Sequence, residues 1–378
     1  MINYFIINDS LPIVLVWCVV TSPPNVKTLI LSSPPKLLSL VQQTRYAGRT
    51  DQQARLTEEA LMKTILVPLD GSVLAEQALP YARMLTQVLN ANIQLLRVVP
   101  DIERESLLVD SLATMYVGEI AAGYQERDQQ ILHGLREHAE SYLEAQEEQL
   151  RMAGIDVSTT VRIGPPAEII VEVANHVNAT MIVMATHGYS GIQRWAIGST
   201  ADKVVHATHT PVLLVRSPAV PMHEEPKLER IMVPLDGSTL SRQALPIATE
   251  LAQLSHAQII LMHAIDPLAE AYPSAHALSQ SLAHPDRLLH EMVESADHQL
   301  SQVAGTLTKD SNVTVTPMAL IGYPAEVVVD EAERRHVSLI IMATHGYSGL
   351  RRWTLGSTAD KVLHSTRTPL LIIRATHN

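Results

Sequence analysis

Apolar and polar positions along this chain alternate in two rhythms, short strand-like runs and longer helix-like ones, which follow one another in turn. Thr64–Leu69 is a brief apolar run that stops at Asp70-Gly71. Over Ser72–Asn90 the spacing of Leu74, Ala78, Tyr81, Ala82 and Leu85 predicts one helix, with Ser72 as its N-cap. Ile93–Val99 reads as a second strand, Gln125–Met152 as an amphipathic helix ending at Gly154, and Val157–Ile163 as a third strand. Pro165 and Pro166 open a helix to about Val177. Met181–Ala185 is a fourth strand, Ser199–Thr208 a helix and Pro211–Val215 a fifth strand. Strands alternating with helices call for an α/β fold, a parallel sheet with helices on both faces.

The same succession then repeats, with strands near Arg230–Leu235, Gln258–Ala264, Val313–Leu320, Leu339–Ala343 and Pro369–Ile373. Three strings recur in order. VPLDGS stands at 67–72 and 233–238, MATHGYSG at 184–191 and 342–349, and GSTADKV at 198–204 and 356–362. The offset between copies falls from 166 residues at the first string to 158 at the other two, so the second half is eight residues shorter between them. One domain has been duplicated. The expected organisation is two tandem domains, 62–216 and 229–376. They are joined by a short, stiff, solvated linker over 217–228 that carries Pro218, Pro221, Pro226, Glu224 and Glu225.

Residues 1–61 do not share the pattern. Leu11–Val20 is apolar, but a run of about ten residues is too short for a bilayer that needs ~20. The first lysine is Lys27, so a basic signal-peptide start is lacking. The segment reads as a disordered extension or an upstream start-site artefact, with a weak membrane anchor as the alternative.

Composition narrows the partners. The 378 residues are 46% hydrophobic and 18% charged, enough for a packed core. A formal net charge of −11 argues against bulk binding to nucleic acid or to an anionic membrane. It leaves room for an anionic small molecule, because backbone N–H groups bind phosphate without net positive charge. The single cysteine, Cys18, excludes an intrachain disulfide and a cysteine-rich metal site, and fits the cytoplasm.

The repeated strings place polar and small residues where strands end, and ligands of parallel α/β folds bind at that edge. Gly188 follows the fourth strand and Gly198 precedes a helix. Both let a backbone approach a ligand and take positive φ where needed. Ser199 and Thr200 lie at that helix start, where N–H groups lack intrahelical partners and the dipole is positive. The combination suits a polyphosphate. His345, Gly346, Gly356, Ser357 and Thr358 repeat it. Asp70 and Asp236 end the first strand of each half. A carboxylate there can accept from a ribose hydroxyl or hold Mg²⁺ through water. It can equally close an Asx-turn with the Gly-Ser that follows, or cap the next helix. Arg194-Trp195 and Arg351-Arg352-Trp353 lie in the intervening loops, where Arg can touch phosphate and Trp can pack or cover a base. No GKS or GKT lysine and no GxGxxG after the first strand is present. His187 and His345 are the candidate hydrolytic groups, but no catalytic triad, HExxH or carboxylate pair accompanies them, and no catalytic residue is assigned.

VPLDGS on the first strand, HG-x9-GS on a strand–loop–helix, and a closing TPV or TPL strand resemble the universal stress protein family. The resemblance runs from Met62 to about Arg374. It implies two doubly wound, Rossmann-like domains, each a five-stranded parallel sheet of order 3-2-1-4-5. It also implies ATP binding in members that carry G-x2-G-x9-G-S/T. Here Ala185 and Ala343 replace the first glycine, at a cost of roughly 1 kcal/mol or more should φ be positive there and little should it be negative. By the same resemblance, adenine lies against the end of the second strand, at Val98 and Ala264. Pro68 and Met184, and their counterparts Pro234 and Met342, complete the two nucleotide sites. Family members dimerise through the last strand, so Val212–Val215 is expected beside Leu370–Ile373 as an intramolecular pseudo-dimer, and a homodimer of the chain is a further expectation. The implied function is a cytoplasmic, nucleotide-responsive regulatory module of the stress response. The alternatives are a slow ATPase or nucleotidyl-transfer enzyme acting through His187 or Asp70, and an interaction scaffold that binds no nucleotide.

Overall fold

The computed structural model describes residues 63–101, 121–186, 197–216, 225–266, 285–344 and 356–375. In the first half, β1 (Lys63–Pro68), β2 (Ala91–Val99), β3 (Val157–Ile163), β4 (Met181–Ala185) and β5 (Val212–Val215) alternate with helices. These are α1 (Val73–Glu76), α2 (Ala78–Leu89), α3 (Ala121–Met152), α4 (Pro166–His176) and α5 (Ser199–Ala207). The second half repeats the order with β6 (Arg230–Pro234), a 3₁₀ turn (Ser241–Ala244), α6 (Leu245–Ser255) and β7 (Gln258–Ile265). It continues with α7 (Pro285–Ser311), β8 (Val315–Ile321), α8 (Pro324–Arg334), β9 (Leu339–Ala343), α9 (Ser357–Ser365) and β10 (Leu370–Ile373).

All ten strands form one sheet, in the order β3-β2-β1-β4-β5-β10-β9-β6-β7-β8. Each half is parallel and runs 3-2-1-4-5. The two meet where β5 pairs antiparallel with β10, Leu213 opposite Leu371 and Leu214 opposite Leu370. Leu213 and Leu371 occupy the same place in the repeat, so the relation between the halves is a local two-fold. Both last strands are thereby consumed within the chain, and a homodimer of the chain has to use another surface.

The central strands β4, β5, β9 and β10 are apolar throughout because both faces of the sheet are covered there. Along β1, Ile65 and Val67 enter one core and Leu66 the other. Along β5, Leu213 and Val215 enter the first and Val212 and Leu214 the second. The first core is roofed by α2, α3, α6 and α7 through residues such as Leu85, Leu143, Leu251 and Leu300. The second is roofed by α4, α5, α8 and α9 through Ile170, Val204, Val328 and Val362. Each core contains residues of both halves and is continuous across the seam. An ion pair between Lys63 on β1 and Glu250 on α6 also crosses it.

Two expectations are corrected. The helix expected over Ser72–Asn90 breaks at Gln77, which separates α1 from α2. Pro80 explains the break, since it has no N–H to donate to Glu76 four residues back and its ring crowds that carbonyl. Pro246 has the same effect in the second half, where a 3₁₀ turn precedes α6. The linker is also less solvated than its prolines suggest. Residues 217–224 lie outside the described residues, but Leu228 is buried in the first core and Glu225 pairs with Arg83 on α2.

Because the cores are shared, thermal or urea unfolding is expected to show one cooperative transition for both halves. Leu371→Ala, at a fully buried seam position, is expected to cost about 2–5 kcal/mol and to shift that single transition as a whole. Calorimetry showing two separable transitions would contradict the shared core.

Candidate functional site

Each half presents its polar strand ends on one sheet edge. In the first half, β1 lies beside β4, with Ile65 opposite Met181 and Leu66 opposite Ile182. The chain reverses its direction of spread at this pair, since β2 lies on one side of β1 and β5 lies beyond β4. Such a switch point leaves a crevice between the loops that follow the two strands.

The loop after β1 is an Asx-turn. Asp70 Oδ1 accepts from the Ser72 N–H at 2.9 Å and from the Ser72 hydroxyl at 2.6 Å. Ser72 Oγ in turn accepts from the Ala75 N–H at 3.1 Å and caps α1. The second half reproduces the device, with Ser238 N and Oγ at 3.0 and 2.6 Å from Asp236 Oδ1. Gly71 and Gly237 make the turn possible with φ of +77° and +81°. The turn therefore uses one oxygen of each aspartate. The candidate metal role of Asp70 and Asp236 finds no cluster to join, because no three His, Cys, Asp or Glu side chains among the described residues are grouped to hold an ion.

Beneath the first turn lies a group that the sequence reading missed. Arg97, on β2, donates to the Leu69 carbonyl at 3.3 Å and lies over the Tyr142 ring, 5.8 Å from its centre. Its Nη1 is 3.0 Å from where a Cβ on Gly71 would sit. Tyr142 donates to Glu76 Oε1 at 2.9 Å, so α3 and α1 are tied together under the turn. Burial, then the hydrogen bond to Glu76, pushes the Tyr142 phenol well above its ordinary range. Burial alone pushes Tyr81 up to about 12. The second half builds this place from other residues. Arg242 stands where Glu76 does, His263 where Arg97 does, and Gln299 lies by Gly237. One signal for the difference was legible, an arginine inside the apolar run of β2.

The second loop of the site starts at Thr186, after β4, and returns at Gly198, before α5. Gly198 N–H donates to the Thr186 carbonyl, and Gly356 N–H donates to that of Thr344 at 2.6 Å, which ties each loop shut at its base. Gly198 has φ −58° and ψ 139°, Gly356 φ −61° and ψ 146°. Positive φ, allowed for in the sequence reading, is not used at these two glycines. What they contribute is the lack of a side chain. Neither supplies a side-chain cap, so the N–H groups at the start of α5 and α9 meet no capping oxygen there. Ser199 is exposed at that start. Thr200, one residue on, lines a groove between α4 and α5 with Lys203, Glu168 and Asn175. Ala185 and Ala343 are the last residues of β4 and β9, and neither has positive φ. The alanines therefore impose no backbone strain, and only the added methyl distinguishes them from glycine.

Pro68 and Pro234 close β1 and β6, Val98 lies near the end of β2 against the second core, and Ala264 lies near the end of β7. Met184 and Met342, each 6% exposed, are residues of the second core. His187, Gly188, His345 and Gly346 lie outside the described residues, as do Arg194, Trp195, Arg351, Arg352 and Trp353.

A sequence profile of the Universal stress protein family matches residues 62–216 and again 227–374. The chain belongs to the universal stress protein family. It is 24% identical over 221 residues to a universal stress protein of Mycobacterium tuberculosis, spanning 58% of this chain and 70% of the relative. It is 30% identical over 160 residues to one of Methanocaldococcus jannaschii, spanning 42% of this chain and 85% of the relative. A crystal structure of a universal stress protein from Archaeoglobus fulgidus superposes with a TM-score of 0.55 at 18% identity, over 82% of this chain and 98% of that one. That last likeness bears on the fold alone. Within the universal stress protein frame, the tandem repeat accounts for both matches, and the Asx-turn and uncapped helix start occur once in each domain.

The support under the first turn can be tested directly. Gly71→Ala strains the backbone and drives a Cβ into Arg97, whereas Gly237→Ala meets only Gln299 Oε1 at an ordinary 3.5 Å. Urea denaturation is expected to show a loss of about 1–3 kcal/mol for the first and about 1 kcal/mol for the second. Equal losses would mean that Arg97 yields without cost. For Tyr142 the sign follows from its raised pKa. The folded state keeps the phenolic proton after the unfolded chain has begun to lose it near pH ~10, so stability is whole below that pH and declines above it. Tyr142→Phe is expected to flatten that alkaline decline and to cost about 1 kcal/mol at neutral pH, read as melting temperature against pH.

Proposed function

We propose that this universal stress protein is an ATP-binding regulatory module of the cytoplasm, with one nucleotide site per domain and no turnover chemistry of its own. The observation that carries the reading is the pair of loops at each switch point. An uncapped helix start, tied to the end of the neighbouring strand, faces the same edge as a rigid Asx-turn. Backbone N–H groups of Ser199 and Thr200, and of Ser357 and Thr358, donate to phosphate oxygens, and the positive ends of α5 and α9 add to the attraction. The Ser199 and Ser357 hydroxyls add a donor each. Gly198 and Gly356 let the phosphates approach because no Cβ intervenes. Asp70 and Asp236 accept from the ribose hydroxyls or reach Mg²⁺ through water. Val98 and Ala264 flank the base, while Ala185 and Ala343 bring one methyl each to the wall beside it. His187, Gly188, His345 and Gly346 complete the loops.

A sensor fits better than an enzyme. Asp70 Oδ1 already accepts two hydrogen bonds from Ser72, which favours the carboxylate as a fixed acceptor over a proton-abstracting base. No lysine of the P-loop kind is present in either loop. A solved universal stress protein is described in complex with cAMP, which makes cAMP the second nucleotide to test.

Calorimetric titration of the full chain with ATP–Mg²⁺, and with cAMP in parallel, tests the reading. Up to two ATP per chain are expected. Gly198→Val combined with Gly356→Val is expected to weaken binding at least tenfold while leaving the melting temperature within a few degrees, because φ at both positions suits any residue. Absence of ATP binding to the unsubstituted protein, with no nucleotide co-purifying, would overturn it.

A further inference from the structure

Two arginines cross the seam between the halves in a reciprocal way. Arg216 follows β5, and its Nη1 donates to the carbonyls of His364 at 2.9 Å and Thr366 at 3.2 Å, where α9 of the second half ends. Arg374 follows β10 and donates from Nη1 to the carbonyl of Thr208 at 3.3 Å, where α5 of the first half ends. A guanidinium at a helix C-terminus complements the dipole there. The two are equivalent in the repeat, but their surroundings are not. Position 367, beside Arg216, is an arginine, whereas its counterpart beside Arg374 is His209.

Arg216 is chemically incomplete. Its Nε and Nη2 are buried with no hydrogen-bond partner. These two nitrogens form the edge of a guanidinium that takes two oxygens of one anion side by side. Removing a cation from water without a partner is costly. Here burial, and then the like charge of Arg367, both lower the Arg216 pKa. Among the described residues no carboxylate pairs with Arg216, although acidic residues outnumber basic ones in this chain, 39 to 28. Arg367 is exposed and directly follows Thr366, whose carbonyl accepts from Arg216 Nη1.

We propose that the Nε–Nη2 edge of Arg216, together with Arg367, forms a binding site for a phosphate-type oxyanion at the seam between the two domains. Two guanidinium charges favour a dianion such as hydrogen phosphate over a carboxylate, and the bidentate edge favours an ion with two oxygens in one plane. The anion supplies the acceptors that Arg216 lacks and offsets its repulsion from Arg367. Because Arg216 belongs to the first half and its carbonyl partners to the second, the bound ion reinforces their pairing. Because both nitrogens are buried, binding is slower and weaker than at an open surface site. The Arg374 end, with His209 in place of the second arginine, lacks the dianion preference.

Inorganic phosphate is the probe. Melting temperature is measured in phosphate and in chloride at equal ionic strength and pH, on the unsubstituted chain and on three variants. A phosphate-specific rise of about 2 °C or more is expected at saturation. It should persist in Gly198→Val with Gly356→Val, since the ion does not sit in the nucleotide loops. It should vanish in Arg216→Met and fall by at least half in Arg367→Ala, whose exposed side chain leaves the fold intact even should Arg216→Met be unstable. The proposal fails if phosphate does no more than chloride, if the rise survives in Arg367→Ala undiminished, or if the loop glycine substitutions abolish it. That last result would return the ion to the nucleotide loops, whereas loss of ATP binding alone leaves the seam site standing.

Discussion

The pairing of β5 with β10 is the constraint on which the rest of this molecule depends. Val212, Leu213, Leu214 and Val215 are each at most 2% exposed. A strand this apolar on both faces, with one edge unpaired, is a template for aggregation. Duplication supplies the cover. The second copy brings an equally apolar Leu370–Ile373, and the local two-fold sets Leu213 against Leu371. The strand contact is short, with three residue pairs in register, so it cannot hold the halves alone. It aligns two sheets whose helices then close over continuous cores, and those cores supply the main burial.

That antiparallel seam also dictates where the chemistry lies. Strands of the first half run opposite to those of the second, so the carboxyl ends of β1 and β4 and those of β6 and β9 open on opposite edges of the common sheet. The two candidate sites are therefore separate, and neither requires residues of the other half. What the halves share is the rigid frame beneath. A ligand that stiffens one edge can influence the other through the seam, where the continuous cores, the paired last strands, the Lys63–Glu250 ion pair and the crossed arginines are the physical connections.

Much of this was legible in the sequence because it is local. Strand runs, the duplicated strings and the Asp-Gly-Ser turn depend on neighbours within a few residues, and each occurs twice. The break at Gln77 was also legible in principle, since Pro80 and Pro246 announce it, but a period-3.6 count of apolar residues passes over a proline in the first turn. Other features were not local. Leu228 looks like part of a polar linker until the first core is assembled around it. Arg97 stands in a strand, yet its partners are the Leu69 carbonyl and Tyr142, brought there by a loop and by α3. The crossed reach of Arg216 and Arg374 exists only once the two halves are paired.

The unequal fates of the repeated parts carry their own argument. The Asp-Gly-Ser turn, the THGYSG string and the GSTADKV helix start are identical in sequence in both halves. The surroundings of the turns have diverged: Arg97, Tyr142 and Glu76 brace the first, whereas the second half has His263 and Arg242 at the positions of Arg97 and Glu76 and Gln299 by Gly237. Bracing can be achieved by many combinations, because packing tolerates exchange so long as volume and polarity are met. A phosphate cradle of backbone N–H groups, as proposed for these loops, tolerates little, because each side chain beyond a hydroxyl would occupy the ligand's space. Ala185 and Ala343 fit this distinction. They end strands with negative φ, where glycine offers no conformational advantage, so glycine at that point serves only close approach. The methyl group is the whole of the difference, and it stands at the strand end in both halves alike.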